Sequence, residues 1–204
     1  MYQEKNKTKQ TNKCRRCGEY PETVSHIISG CPKLAQTVYL ERHNAVASTV
    51  HWSLTKDLNF ERVEYWWEHK PEPVRTGKRR IYKPLYDFNI MTDKKVTARR
   101  TDIVIVKKGQ RKTTLIDIAC PCDRNVNDKV TEKVEKYQDL KIELQRLWNT
   151  SVEIVPIVVG MPGAISNNLQ KYLQKLNITD IRTNQIQKTV LLKTATILRR
   201  NLGV

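Results

Sequence analysis

The stretch TDIVIVKKGQRKTTLIDIACPC, residues 101–122, decides how this chain is read. Two apolar runs rich in β-branched residues, DIVIV at 102–106 and TLIDIA at 114–119, flank the polar segment KKGQRK, which holds Gly109. β-branched side chains suit a pleated, buried chain, and a short polar link with a glycine suits a hairpin turn. The pair therefore predicts two neighbouring strands. Each carries one aspartate: Asp102 opens the first strand and Asp117 lies inside the second. A carboxylate set in an apolar run is costly unless it is paired or holds a cation.

Working outward, IYKPLYDFNIMT at 81–92, kinked by Pro84, predicts a strand before the hairpin. Before that, helical periodicity covers 34–50 and 54–69, the second helix carrying Leu58, Val63, Tyr65 and Trp66 and stopping at Pro71 and Pro73. After the hairpin, apolar residues at 126, 130, 134, 137, 140, 144 and 147 predict one long helix over 126–148. A buried strand over 152–159 ends at Gly160-Met161-Pro162-Gly163, and helices over 164–175 and 183–201 follow. Helix, three strands, helix, strand, helix is an α/β pattern (α+β mixed sheet) with helices flanking the sheet. There is no Gly/Ser-rich linker and no internal repeat from residue 36 onward. The expected organisation is a basic arm at 1–13, a Cys/His knuckle at 14–35 and one α/β domain at 36–204.

The chain has 204 residues with 37 Lys+Arg against 21 Asp+Glu, a formal charge of +16. An excess of that size points to a polyanionic partner, most simply nucleic acid, over a basic protein with no such partner. No run approaches the ~18–20 apolar residues of a membrane span, and MYQEKNKTKQTNK at 1–13 has no apolar signal core. Five cysteines, an odd count, fit a reducing compartment, nuclear or cytoplasmic and not secretory, where thiols bind metal or stay free. The glycosylation sequons at Asn6, Asn149 and Asn177 carry no meaning there.

Cys14-x2-Cys17-x8-His26-x4-Cys31 gathers three thiols and one imidazole. Zinc takes four such ligands at tetrahedral corners, and a C-x2-C step supplies two from one tight turn. Gly18 stands where the turn commonly needs positive φ, and His26 falls on a short helical turn over 23–29. A knuckle of this size has no core of its own, so the metal would supply its folding energy. Four protein ligands leave no open position, so one structural zinc is expected. Lys9, Lys13, Arg15 and Arg16 place cations beside it, suited to a phosphate backbone.

Asp102 and Asp117 on neighbouring strands are a minimal scaffold for Mg²⁺ or Mn²⁺, which bind through one or two carboxylates and otherwise keep waters and phosphate oxygens. Lys133 and Lys136, three apart on the following helix, share a face with Tyr137. A lysine there can stabilise charge on a phosphate or orient a water. The residues allow a plainer reading too: Asp102 paired with Arg99 or Arg100, and Lys136 with Glu132.

From about residue 14 to 200 the chain resembles the C-terminal part of site-specific non-LTR retrotransposon polyproteins that carry a restriction-like endonuclease. The resemblance rests on CRRCGEYPETVSHIISGCP, HWSLTKDL, YDFNIMTDKKVTARRTDIVIV, LIDIACP, EKVEKYQDLKIELQRLW and VEIVPIVVGMPGAI, in that order. It implies a zinc knuckle that follows a reverse-transcriptase domain, then a nuclease similar to the PD-(D/E)XK fold. Asp102 and Asp117 would correspond to the motif aspartates. Ala119 stands where that fold usually has lysine, and the family pattern moves the lysine to the next helix, to Lys136 or Lys133, with Tyr137 in support. Thr101 replaces the usual proline, and Cys120 and Cys122 occupy a segment usually free of cysteine. No Tyr-x-Asp-Asp is present, so the chain reads as a fragment, a degraded copy or a separate endonuclease module of a larger reverse-transcriptase polyprotein. The implied function is metal-dependent nicking of target DNA for target-primed reverse transcription, with element RNA as a further partner. The alternative is a zinc-dependent nucleic-acid-binding remnant without catalysis.

Residues 75–112 hold 13 Lys/Arg and three Asp. Lys94, Lys95, Arg99, Arg100, Lys107, Lys108, Arg111 and Lys112 form the expected DNA track, against the reading of a solvated hairpin face. Of the adjacent Trp66 and Trp67, at most one is expected deep in the core. Arg199 and Arg200 suit a helix C-terminus as readily as DNA. His43, His51 and His69 show no partner spacing.

Overall fold

The computed structural model describes residues 12–57, 63–73, 82–176 and 183–203. Four strands form one sheet in the order β1-β2-β3-β4: Tyr82–Asn89, Arg100–Lys107, Lys112–Ala119 and Ser151–Val158. The first three are antiparallel, with Tyr86 opposite Ile103 and Ile103 opposite Ile116. β4 runs parallel to β3, Asp117 facing Pro156. Pro156 is tolerated because β4 is an edge strand, where a missing N–H need not interrupt a ladder. A parallel pair needs a long crossover, here Val126–Trp148, which spans the sheet between β3 and β4.

Strand alternation sends Ile103, Ile105, Ile116, Ile118, Val155 and Ile157 to one face. There they meet Val46, Val50 and Leu54 of α1 (Leu40–Asp57). The crossover contributes α2 (Val126–Lys136) and α3 (Gln138–Trp148), and two helices close the chain, α4 (Leu169–Lys175) and α5 (Thr183–Leu202). Leu169 and Leu173 of α4 and Ile186 and Val190 of α5 complete that first layer. The opposite face, Val104, Leu115, Val152 and Ile154, packs under Tyr137, Leu140 and Leu144. β3 is buried at every position but its first, because helices cover both faces. The mixed α/β architecture is thus as the sequence indicates.

Several local expectations are corrected. The helices expected over 34–50 and 54–69 are instead one helix running through to Asp57, preceded by a short wider turn at Ala35–Tyr39. Val50 and Leu54, four apart, continue one buried stripe across the supposed gap. Beyond it, among the described residues up to Glu68, Val63–Tyr65 is not helical and Trp66–Glu68 makes a 3₁₀ turn. The Trp52 indole donates to the Val63 carbonyl at 3.0 Å, which folds the chain back. Leu58 lies outside the described residues. Neither tryptophan of the pair reaches the core: Trp66 is half-buried, and Trp67 is exposed and stacked on Tyr65.

The helix expected over 126–148 breaks at Tyr137 (φ −103°, ψ 8°). β1 stops at Asn89 rather than Thr92, and α4 starts at Leu169 rather than 164. The hairpin turn contains Gly109 as read, and Arg111 there takes the left-handed conformation (φ 46°). Asp87 is left-handed too (φ 49°) and drops out of the β1–β2 register, so Leu85 and Phe88 both join the α3 side. No helix among the described residues is long and apolar enough to cross a membrane.

Ile116 is fully buried at the centre of this sheet. Ile116→Ala should cost about 2–5 kcal/mol in urea unfolding, whereas Ile142→Ala, at an exposed position, should change stability by less than about 0.5 kcal/mol. Equal effects at the two positions would contradict this packing.

Candidate functional site

The ligand atoms of Cys14, Cys17, His26 and Cys31 lie within 4.8 Å of one another. Cys14 Sγ is 4.0 Å from Cys31 Sγ, and Cys17 Sγ is 3.4 Å from His26 Nε2. A tetrahedral zinc with Zn–S of about 2.3 Å and Zn–N of about 2.0 Å needs edges of roughly 3.5–3.8 Å, so the four atoms are gathered near the spacing that ion takes. Gly18 takes φ +73° and its N–H closes the turn on the Cys14 carbonyl at 2.7 Å. Backbone N–H groups, Tyr20 first, pull the Cys17 thiol down to about 6, favouring the thiolate, while burial raises Cys31. Such a metal would neutralise the burial cost by holding both sulfurs as thiolates. Three soft sulfurs and one imidazole suit zinc, and four protein donors suit a structural role.

The knuckle does not stand apart. Cys14, Ile27, Cys31 and Leu34 share a buried cluster with Ile197 of α5. The Arg16 guanidinium donates to the Arg200 carbonyl at 3.1 Å, and Arg15 is ion-paired to Glu22 at 2.7 Å. Both arginines expected to meet phosphate are therefore already engaged within the protein. Arg200 itself pairs with Glu41 at 2.9 Å. Lys9 lies outside the described residues.

The second centre lies where β2 begins and β3 ends. Asp102 Oδ2 accepts the Ile118 N–H at 2.6 Å, and its Oδ1 is 2.9 Å from His43 Nε2. Asp117, only 4% exposed, accepts the Tyr137 hydroxyl on Oδ1 at 2.5 Å and is ion-paired through Oδ2 to Lys133 Nζ at 2.6 Å. Lys136 donates to the Tyr137 oxygen at 3.1 Å and sits 4.8 Å from the centre of its ring. Contacts thus link Asp117, Lys133, Tyr137 and Lys136, while Asp102 stands on the neighbouring strand β2 with partners of its own. The two lysines hold different posts: Lys133 touches a carboxylate, Lys136 touches the phenol.

Burial and the Asp117 charge push the Tyr137 hydroxyl far up, so it remains a proton donor. For His43, burial favours the neutral ring, but the Asp102 hydrogen bond and the charges of Asp102 and Asp117 outweigh it and raise its pKa. The plainer pairings are not made: Arg100 is bidentate on Asp87, and Glu132 pairs with Lys129 at 2.6 Å.

His43 is the functional neighbour that sequence reasoning missed. It stands on the stripe His43, Ala47, Val50, Leu54 of α1, and that spacing is the signal that it faces the sheet. The other two histidines also found a partner, each other, with His51 Nδ1 2.7 Å from His69 Nε2. Of the expected DNA track, Lys94, Lys95 and Arg99 are exposed, Lys112 is paired to Glu153 at 3.1 Å, and Lys107, Lys108 and Arg111 cluster at the hairpin end.

No family model matches this chain, and no curated protein matches it.

Purified protein should carry one equivalent of zinc by elemental analysis, and Cys31→Ala should lose it. Because the knuckle shares its cluster with α5, zinc removal should also lower the melting temperature of the α/β part. Less than half an equivalent of zinc in undamaged protein would contradict the site.

Proposed function

We propose that this chain is a metal-dependent DNA endonuclease module of the non-LTR retrotransposon type that its sequence resembles, with a PD-(D/E)XK-like core and a structural zinc knuckle. One observation carries the reading: the β2–β3 hairpin and the crossover helix bring Asp102, Asp117, Lys133 and Tyr137 to one place. The order helix, three antiparallel strands, crossover and parallel fourth strand is compatible with that core and supports it.

Asp102 and Asp117 would hold Mg²⁺ or Mn²⁺. The donors fit a hard cation: both are carboxylates, and the buried Asp117 Oδ2 has an ion-pair contact but no hydrogen bond of its own. When bound, the ion would lower the pKa of a coordinated water and neutralise charge on the phosphate. The remaining work falls to the chain. Water oxygen forms the new bond to phosphorus and releases one proton to solvent, the P–O3′ bond breaks, and O3′ takes up a proton from solvent to leave as the 3′-hydroxyl that primes reverse transcription. Lys133, held against Asp117, presents an ammonium to the negative charge that builds on the phosphate oxygens. Tyr137 stays protonated and fixes the Asp117 rotamer, while Lys136 steadies Tyr137 from the solvent side. His43 and the Ile118 N–H hold Asp102 in place.

The second reading, a nucleic-acid-binding remnant without catalysis, draws on the full engagement of both carboxylates by Lys133, Tyr137 and His43. Nicking of supercoiled plasmid with Mg²⁺ or Mn²⁺ separates the two. Wild type should nick, Asp117→Ala should not, and Lys133→Ala should be slower by about 10²–10³-fold, with Lys136→Ala less affected. Equal nicking by wild type and Asp117→Ala, or intact plasmid under both metals, would overturn the endonuclease reading.

Duplex binding should weaken steeply with salt, and Lys94→Ala or Lys95→Ala should each reduce the slope of log K against log salt by about 1. A slope that neither substitution moves would remove these two lysines from the DNA track.

A further inference from the structure

A groove of about 490 Å³ opens at the hairpin end of the sheet, between β1, β2 and the last turn of α3. Its floor is apolar, built from Leu85, Phe88 and Trp148, and its rim carries Lys107, Lys108 and Arg111. No carboxylate lines it among the described residues. The floor exists because Asp87 takes the left-handed conformation and brings Phe88 to the same side as Leu85. Asn149, also left-handed (φ 45°), ends α3 directly after Trp148 and leaves that indole 36% exposed at the mouth.

An aromatic floor under a cationic rim is the chemistry of an unpaired nucleobase: rings stack on rings, and the flanking phosphates meet the cations. The volume lies within the range of sites that enclose a small organic group. Its position adds to the argument. Phe88 stands opposite Thr101, the residue directly before Asp102, while Lys107 and Lys108 stand at the far end of β2. Four strand steps separate Asp102 from Val106, about 13 Å. The groove therefore starts beside the carboxylate centre and leads away from it along the sheet.

We infer that this groove binds an unpaired nucleotide of a single strand, stacked on Trp148 and Phe88 and held through its phosphates by Lys108 and Arg111. The inference rests on the nucleic-acid reading above and names its substrate class: a site with a single-stranded or flapped segment next to the scissile position, rather than uniform duplex. The shared chemistry is a base with flanking phosphates, common to DNA and RNA strands.

The test is binding without metal, in the Asp117→Asn background, so that cleavage plays no part. Fluorescence anisotropy compares dU12, rU12 and a blunt duplex at fixed salt. Trp148→Ala should weaken single-strand binding by about tenfold or more and leave duplex binding within twofold, and Trp148→Phe should restore most of the loss. Lys108→Ala with Arg111→Ala should flatten the salt dependence on single strands, whereas Trp148→Ala should not. Whichever of dU12 and rU12 binds tighter identifies the strand type. Equal loss on duplex and single strand, or no loss on either, overturns the groove assignment, and a melting curve of Trp148→Ala shows whether the fold is intact. Nicking by wild type that persists alongside such a failure leaves the nuclease reading standing. Trp148-dependent single-strand binding by a protein that never nicks leaves the groove standing alone.

Discussion

A carboxylate buried in a strand covered on both faces sets the terms for this molecule. Asp117 is 4% exposed near the end of β3, where an unpartnered charge would be costly. Lys133 and Tyr137 answer that charge from the helix that follows, and both must reach the same carboxylate. The Tyr137 hydroxyl gives its one proton to Asp117 and also lies 2.9 Å from the Arg100 carbonyl, so it stands against β2 as well as β3. That double attachment accounts for the break between α2 and α3. The chain leaves helical geometry at the one residue whose hydroxyl has to point into the sheet. Replacing only one member of such a buried pair leaves the other charge unanswered, so Lys133 is a stabilising partner of Asp117 whatever else it does.

β3 can hold Asp117 there because it pairs on both edges, antiparallel with β2 and parallel with β4. The hairpin delivers Asp102 to the same end, one step past the Ile103–Ile116 pair. α1 then crosses the opposite face and adds His43 to Asp102. Three elements distant in sequence thus meet at one carboxylate pair. The knuckle is joined to this assembly through α5, whose Ile197 lies in the cluster of Cys14 and Cys31 while its Ile186 and Val190 lie in the main core. A metal at the knuckle would therefore stabilise one end of a helix that also seals the sheet.

Much of this was legible in the residues. The strands showed themselves through alternation and β-branching, and the knuckle through ligand spacing, because both patterns are local. Lys133, Lys136 and Tyr137 shared a helical face, and the structure keeps them together. What escaped reading depends on contacts far apart in sequence. Nothing near Tyr137 announces a helix break, since the apolar stripe continues unbroken to Leu140 and Leu144. The cause is a hydroxyl that gives its proton to Asp117 and stands against residue 100. The left-handed Asp87 and Arg111 are equally silent, because neither is glycine. His43 shows no partner spacing in the sequence, yet its spacing from Ala47 and Val50 places it on the buried side of α1. The break expected between residues 50 and 54 failed for the opposite reason: Trp52, Ser53 and Thr55 look polar or bulky for a core helix, yet all three are buried there.

The central claim is that Asp102 and Asp117 together hold a divalent cation, and Mn²⁺ binding tests it most directly. In zinc-loaded protein, electron paramagnetic resonance should count one bound Mn²⁺ in wild type and none in Asp117→Asn, with the zinc content of the two proteins equal. Wild-type protein that binds no Mn²⁺, or Asp117→Asn that binds as much as wild type, would contradict the account.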